Sequence, residues 1–197
     1  LQDSMILRVK NQLKIRTEDV SFVIDELKIM FEKDKRFSQV ADFDNIGIFG
    51  HSFGGCTSIM SAYNDTRIDA VIGLDAYFLP LPKEIIKKDL NTPFVHLGQV
   101  SWGDSDNYEV MRELGKSSNQ EFYHFAIEGS KHNDYTDFSQ FTKLTRKFGS
   151  GKISPKSIRY IMNDVMLGFF DYHLKNRSIF DHNQYQKKYE SVKTYVY

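Results

Sequence analysis

Cysteine is nearly missing from this chain: Cys56 stands alone among 197 residues. One thiol builds neither an internal disulfide framework nor a multi-cysteine metal site. Net charge is missing too. Lysine plus arginine and aspartate plus glutamate number 26 each, so no overall field draws the chain to nucleic acid or to an anionic membrane. No apolar run reaches the length of a membrane-spanning helix, and no basic-then-apolar leader opens the chain. The first residue is Leu1 rather than methionine, which is expected of a processed product or an excised piece, and the compartment stays open. No repeat, low-complexity tract or linker divides the sequence, so residues 1–197 are expected to belong to a single domain.

What is present is an alternation of short apolar runs with helical stripes. Residues 17–34 carry Val20, Val23, Ile24, Leu27, Met30 and Phe31 at helical spacing. Thr17 is the expected cap, with Glu18 and Asp19 in the first turn. Strands are expected over 45–50, 69–78, 94–100 and 119–129, and helices over 54–63, 83–90 and 108–117, the last ended by Gly115. A long final helix starts at Ser154–Pro155 and buries Ile158, Ile161, Met162, Val165 and Phe169. Four rounds of this alternation imply an α/β fold: a mostly parallel sheet with helices on both faces.

At the first strand-to-helix junction stands Gly50-His51-Ser52-Phe53-Gly54. This is the G-x-S-x-G pattern of a nucleophile elbow, in the strand-then-helix setting that it requires. A serine held at so tight a turn exposes its hydroxyl above the sheet, and side chains at both flanking glycines are expected to collide with nearby backbone. The helix that begins there offers free N–H groups to a developing oxyanion, with Phe53 as the expected donor.

A nucleophilic serine needs a base, and the base needs an orienting acid. His51 lies inside the elbow and points wrongly for its neighbour; His96 and His124 fall in strands, His173 on the last helix and His182 beyond it. His132 alone sits in a loop just after a strand and downstream of the serine, where the order serine, acid, histidine requires the base. Two locations compete for the acid. Asp75 ends the second strand among residues that should bury it, whereas Asp104 and Asp106 follow the third strand, the commoner place. Shielding from water argues for Asp75. The stretch "DSDN" opens like a calcium loop but lacks its glycine and glutamate, so no metal or cofactor is expected.

Three blocks, "GHSFGG", "LDAYFLPL" and "GSKHNDYTDF", resemble those of the platelet-activating-factor acetylhydrolases, also called lipoprotein-associated or group VII phospholipases A2. The resemblance runs from about residue 17 to about residue 140. It implies an α/β-hydrolase that cleaves short or oxidised acyl esters of phospholipids without calcium, or a smaller ester, and a phospholipase A2-like role in lipid degradation. It also implies Ser52 as nucleophile, His132 as base, Asp75 as acid and Phe53 as one of two oxyanion donors. Tyr77 stands where the family often has tryptophan.

In that fold the second oxyanion donor comes from a loop after an early strand, and residues 1–44 hold no convincing strand. The chain is therefore expected to be the carboxyl-terminal part of one hydrolase domain, lacking its first strands, with the amino-terminal portion of the same enzyme as its partner. Phe138, Phe141, Leu144 and Phe148, beside Lys143, Arg146 and Lys147, suggest a lipid interface, but packing onto the domain itself is the expectation. Membrane contact is expected to be peripheral at most.

Overall fold

The protein is described by a computed structural model over residues 2–102, 106–177 and 179–197. Helix α1 (Gln2–Lys33) runs unbroken through the point where a start was expected. Thr17 does not cap it; its hydroxyl donates to the Leu13 carbonyl, 2.8 Å away and one turn back in the same helix. Residues 2–16 contain neither glycine nor proline, so nothing upstream stops the helix. Its buried stripe is Leu13, Thr17 and Ile24, with Val20 partly covered. Val23 and Met30, at 49% and 47% exposure, lie on the flank of that stripe, so the expected apolar face was too wide.

A short helix, α2 (Lys35–Ser38), precedes strand β1 (Ile46–His51). Then follow α3 (Phe53–Asn64), β2 (Ile68–Leu74), α4 (Lys83–Ile86), β3 (Phe94–Gln99), α5 (Asp106–Lys116) and β4 (Phe122–Ile127). Strands β1 to β4 lie side by side in chain order and all pair in parallel. A strand that the sequence pattern did not reveal, β5 (Val192–Val196), pairs antiparallel with β4 and completes the sheet among the described residues. It has one neighbour and one buried residue, Val192, so it carries almost no apolar signature.

After β4 the chain makes a 3-10 turn (His132–Tyr135), helix α6 (Phe138–Phe141) and a second 3-10 stretch (Lys143–Phe148). Helix α7 (Pro155–Lys175) begins where expected: Ser154 caps it through the N–H of Ser157, 3.0 Å away. Helix α8 (His182–Lys188) leads into β5.

Two apolar layers hold the sheet. On one face α1, α3 and α5 bury Ile59, Met111 and Leu114 against Val71 and Phe94. On the other, α7 sets Ile158, Ile161, Val165 and Phe169 against Ile72, Leu97 and Phe125. Burying a leucine- or phenylalanine-sized side chain contributes about 1.5–3 kcal/mol, so these layers dominate the stability. Strand β1 is the exception: among the described residues it has a neighbour on one side only, and Phe49 is 58% exposed. The 138–148 stripe also departs from expectation. Phe141, Leu144 and Phe148 are 78%, 58% and 68% exposed instead of packing onto the domain. The 3-10 geometry spreads residues 143–148 so that the buried contact passes to Thr145. No described helix is long and apolar enough to cross a membrane.

Candidate active site

The carboxyl ends of β1 and β2 and the turn after β4 converge on one spot, the usual location of a site in an open parallel sheet. Ser52 links β1 to α3 with φ 57° and ψ −119°, a conformation that L residues seldom adopt. A side chain at Gly50 would overlap the carbonyl of Gly54. The collision expected at Gly54 does not occur, because that position faces open space; it falls on Gly55, whose added carbon would lie 2.5 Å from the Ala76 side chain. The elbow thus needs glycine before Ser52 for the turn and three residues after it for the approach of the β2 segment.

The Ser52 carbonyl accepts the N–H groups of Gly55 at 3.0 Å and Tyr77 at 2.9 Å. Phe53 is the first residue of α3, so its N–H has no acceptor within the helix. The guanidinium of Arg16, from α1, lies over the Phe53 ring at 5.0 Å. Arg16 is exposed and makes no ion pair among the described residues.

His132 lies 80 positions further along the chain, and its Nε2 is 3.0 Å from the Ser52 Oγ. Its Nδ1 is 2.7 Å from Oδ2 of Asp75. A carboxylate accepts, so Nδ1 carries the proton and the lone pair of Nε2 faces the serine hydroxyl. His132 opens a 3-10 turn rather than standing in a loop. Asp134, buried, holds that turn by accepting from the N–H of Lys131 at 2.8 Å and of Gly151 at 2.6 Å.

Asp75 is fully buried and also in the left-handed region, at φ 42°. Its Oδ1 accepts from the Gln99 N–H at 3.0 Å and the Trp102 indole at 3.1 Å; its Oδ2 accepts from the Gln99 side chain at 2.9 Å besides His132. A buried charge with four donors is one that the fold is built to hold. Asp106 instead stands exposed in the first turn of α5, and Asp104 lies outside the described residues.

Of the other histidines, His51 makes no hydrogen bond to Ser52 among the described residues. It turns to His132: its Nε2–H donates to the His132 carbonyl at 3.0 Å, and the rings lie 4.4 Å apart. Burial first, then the neighbouring His132, lowers its pKa and favours the neutral ring. His96 is buried and accepts from the Ala76 N–H. Burial pushes His124 down to about 4. His173 and His182 lie on the far side, near Glu121 and against Tyr123 respectively. Sequence reasoning missed Gln99 and Trp102 as partners of Asp75, because one acts through strand register and the other from a loop that carries no motif.

Residues 5–195 match the family model described as platelet-activating factor acetylhydrolase, isoform II. A platelet-activating factor acetylhydrolase of Gallus gallus is 29% identical over 143 residues, 71% of this chain and 34% of that protein. The protein of the same name from Canis lupus familiaris is 28% identical over 166 residues, 83% of this chain and 35% of the relative. The chain therefore spans about a third of the length of these relatives. Among solved structures, a ferulic acid esterase from Streptomyces cinnamoneus superposes with a TM-score of 0.71 at 24% identity. That match covers 87% of this chain and 51% of the esterase, and it shows the α/β-hydrolase fold. With nearly its whole length matched, the chain belongs to the platelet-activating factor acetylhydrolase, isoform II family.

Proposed function

We propose that this chain carries the reaction centre of a serine carboxylic-ester hydrolase that works through an acyl-enzyme. Ser52 is the nucleophile, His132 the general base and acid, and Asp75 the acid that orients His132. The observation that carries the reading is the aligned pair of contacts, 3.0 Å from Ser52 Oγ to His132 Nε2 and 2.7 Å from His132 Nδ1 to Asp75. Family membership agrees with it.

In the first step Ser52 Oγ attacks the ester carbonyl carbon while its proton passes to His132 Nε2. The buried Asp75 charge stabilises the imidazolium that results. The Phe53 N–H stands at the amino end of α3, where its dipole favours the oxyanion. Collapse of the intermediate breaks the carbon–oxygen bond, and Nε2 returns its proton to the leaving alcohol. Water then repeats the sequence on the acyl-serine, releasing the acid and restoring Ser52.

For substrate we propose short-chain or oxidised acyl esters of the platelet-activating-factor type, on the strength of the family and of the relatives' names. Peripheral contact with a lipid surface belongs to the same proposal, supported by the exposed Phe141, Leu144 and Phe148 beside Arg146. Sedimentation with acidic vesicles, lost on Phe148→Ser, tests that part.

The test of the centre uses the full-length protein. A fluorophosphonate probe is expected to label wild type and not Ser52→Ala, and p-nitrophenyl acetate hydrolysis should vanish with the label. A folded wild-type protein that neither labels nor turns over ester would instead be a binding protein on a hydrolase scaffold.

A further inference from the structure

Beyond β2 the chain enters a largely buried segment, Asp75 to Phe78, that is no longer strand. Its N–H groups still find partners. The Asp75 N–H continues the ladder to the Leu97 carbonyl at 2.7 Å, and the Tyr77 N–H reaches the Ser52 carbonyl. The N–H groups of Ala76 and Phe78 and the Ala76 carbonyl are met by two fully buried side chains from elsewhere. His96 Nε2, on β3, accepts the Ala76 N–H at 3.0 Å. Asn107, on α5, accepts the Phe78 N–H at 2.6 Å and donates to the Ala76 carbonyl at 3.0 Å.

His96 is an odd choice for a core position. To accept an amide proton on Nε2 the ring must be neutral with its proton on Nδ1, and that buried Nδ1 has no hydrogen-bond partner. Phenylalanine would fill the same space between Phe78 and Tyr108 without an unpaired donor. Burial and the adjacent His124 push His96 well below the ordinary histidine range, which keeps the lone pair available. What histidine supplies and phenylalanine lacks is an acceptor aimed at the residue next to Asp75.

We propose that His96 and Asn107 are positioning residues: together they clamp the 75–78 segment so that the Asp75 carboxylate stays on His132 and the Tyr77 N–H stays on the elbow. Neither touches the reacting atoms. The inference rests on the reading of Ser52, His132 and Asp75 given above, and it adds that the acid's placement depends on side chains outside that trio.

Full-length His96→Phe and Asn107→Leu proteins test it against His96→Gln, which restores an acceptor at similar reach. Three quantities are read: kcat and KM on p-nitrophenyl acetate, thermal unfolding, and the far-downfield proton resonance of the His132 Nδ1–H. In His96→Phe and Asn107→Leu kcat should fall about 10- to 100-fold at little-changed KM, as expected for a misplacement of about 1 Å. The downfield resonance should broaden or vanish while unfolding stays cooperative. His96→Gln should recover both the resonance and most of kcat. Wild-type kcat and resonance in His96→Phe would overturn the proposal, as would losses that only track the unfolded fraction. Failure of both proteins to fold would assign the two residues to the scaffold and equally end it. The resonance is read without turnover, so it stands apart from the Ser52 reading, which fails separately if Ser52→Ala retains activity.

Discussion

The backbone N–H of Tyr77 donates to the carbonyl oxygen of Ser52 at 2.9 Å, tying the strained elbow to the segment that presents Asp75. Both Ser52 and Asp75 adopt left-handed backbone conformations. A short tether joins two strained residues, and His132 docks against them from 57 positions beyond Asp75. The centre is thus set by backbone as much as by side chains.

Replacing Asp75 with asparagine leaves its shape but removes the charge that orders His132. A loss of kcat of about 10³- to 10⁴-fold is expected, while Asp106→Asn and Asp104→Asn stay within about twofold. Steady-state kinetics on one soluble ester decides it, and the reverse order would move the acid to the β3–α5 loop.

Trp102 is the only tryptophan of the chain; it donates to Asp75 at 3.1 Å, stacks on Tyr77 and meets His132 edge-on. Trp102→Phe keeps the stacking and deletes one hydrogen bond to a buried charge, worth about 1.5 kcal/mol, so kcat should drop about tenfold with KM unchanged. A change confined to KM would make the indole a substrate contact instead.

Stability should decline in mild acid. Burial lowers the pKa of His96, His124 and His51 in the folded protein, His124 to about 4. The unfolded chain then binds more protons below the ordinary histidine pKa of about 6.5, so unfolding gains about 1.4 kcal/mol per pH unit for each neutral histidine. Urea midpoints should therefore fall steadily from pH 6.5 towards pH 4, and His124→Gln should flatten the slope. A slope unaffected by that substitution would place the linkage elsewhere.

The Arg16 guanidinium lies over the Phe53 ring at 5.0 Å, exposed and without an ion pair among the described residues, a cation available to an anionic group. Arg16→Leu should lower kcat/KM on a phosphate-bearing phospholipid by about 10-fold or more, the range of a charge-assisted hydrogen bond, and leave p-nitrophenyl acetate within about twofold. Equal losses on both esters would mean that Arg16 merely steadies Phe53.

The outer edge of β1, with Phe49 exposed and the apolar groove of Val20, Val23 and Ile24 beside it, invites strand pairing. Residues 1–197 expressed alone should self-associate on a sizing column, and Phe49→Lys should shift them towards monomer. Monomer at every concentration tested would contradict this.

Sequence alone determined the parallel α/β alternation and the tight strand-to-helix turn at Ser52, and it pointed to Asp75 and His132 by expected burial and chain order. Those features are local or depend on order: apolar runs declare buried strands, and two glycines around a serine declare a tight turn. It could not determine that Thr17 lies inside a helix, since a cap and a mid-helix threonine look alike until the upstream chain is seen to be helical. For the acid it favoured Asp75 over Asp104 and Asp106 by expected burial, and the family likeness favoured it further. Only the tertiary structure decided that Asp75 is sealed from water under four donors while Asp106 faces solvent. It also decided the contacts of His96, Asn107, Gln99 and Trp102. Their partners lie roughly twenty to thirty residues away and are set by strand register and by where a loop turns, and neither leaves a local pattern in the sequence.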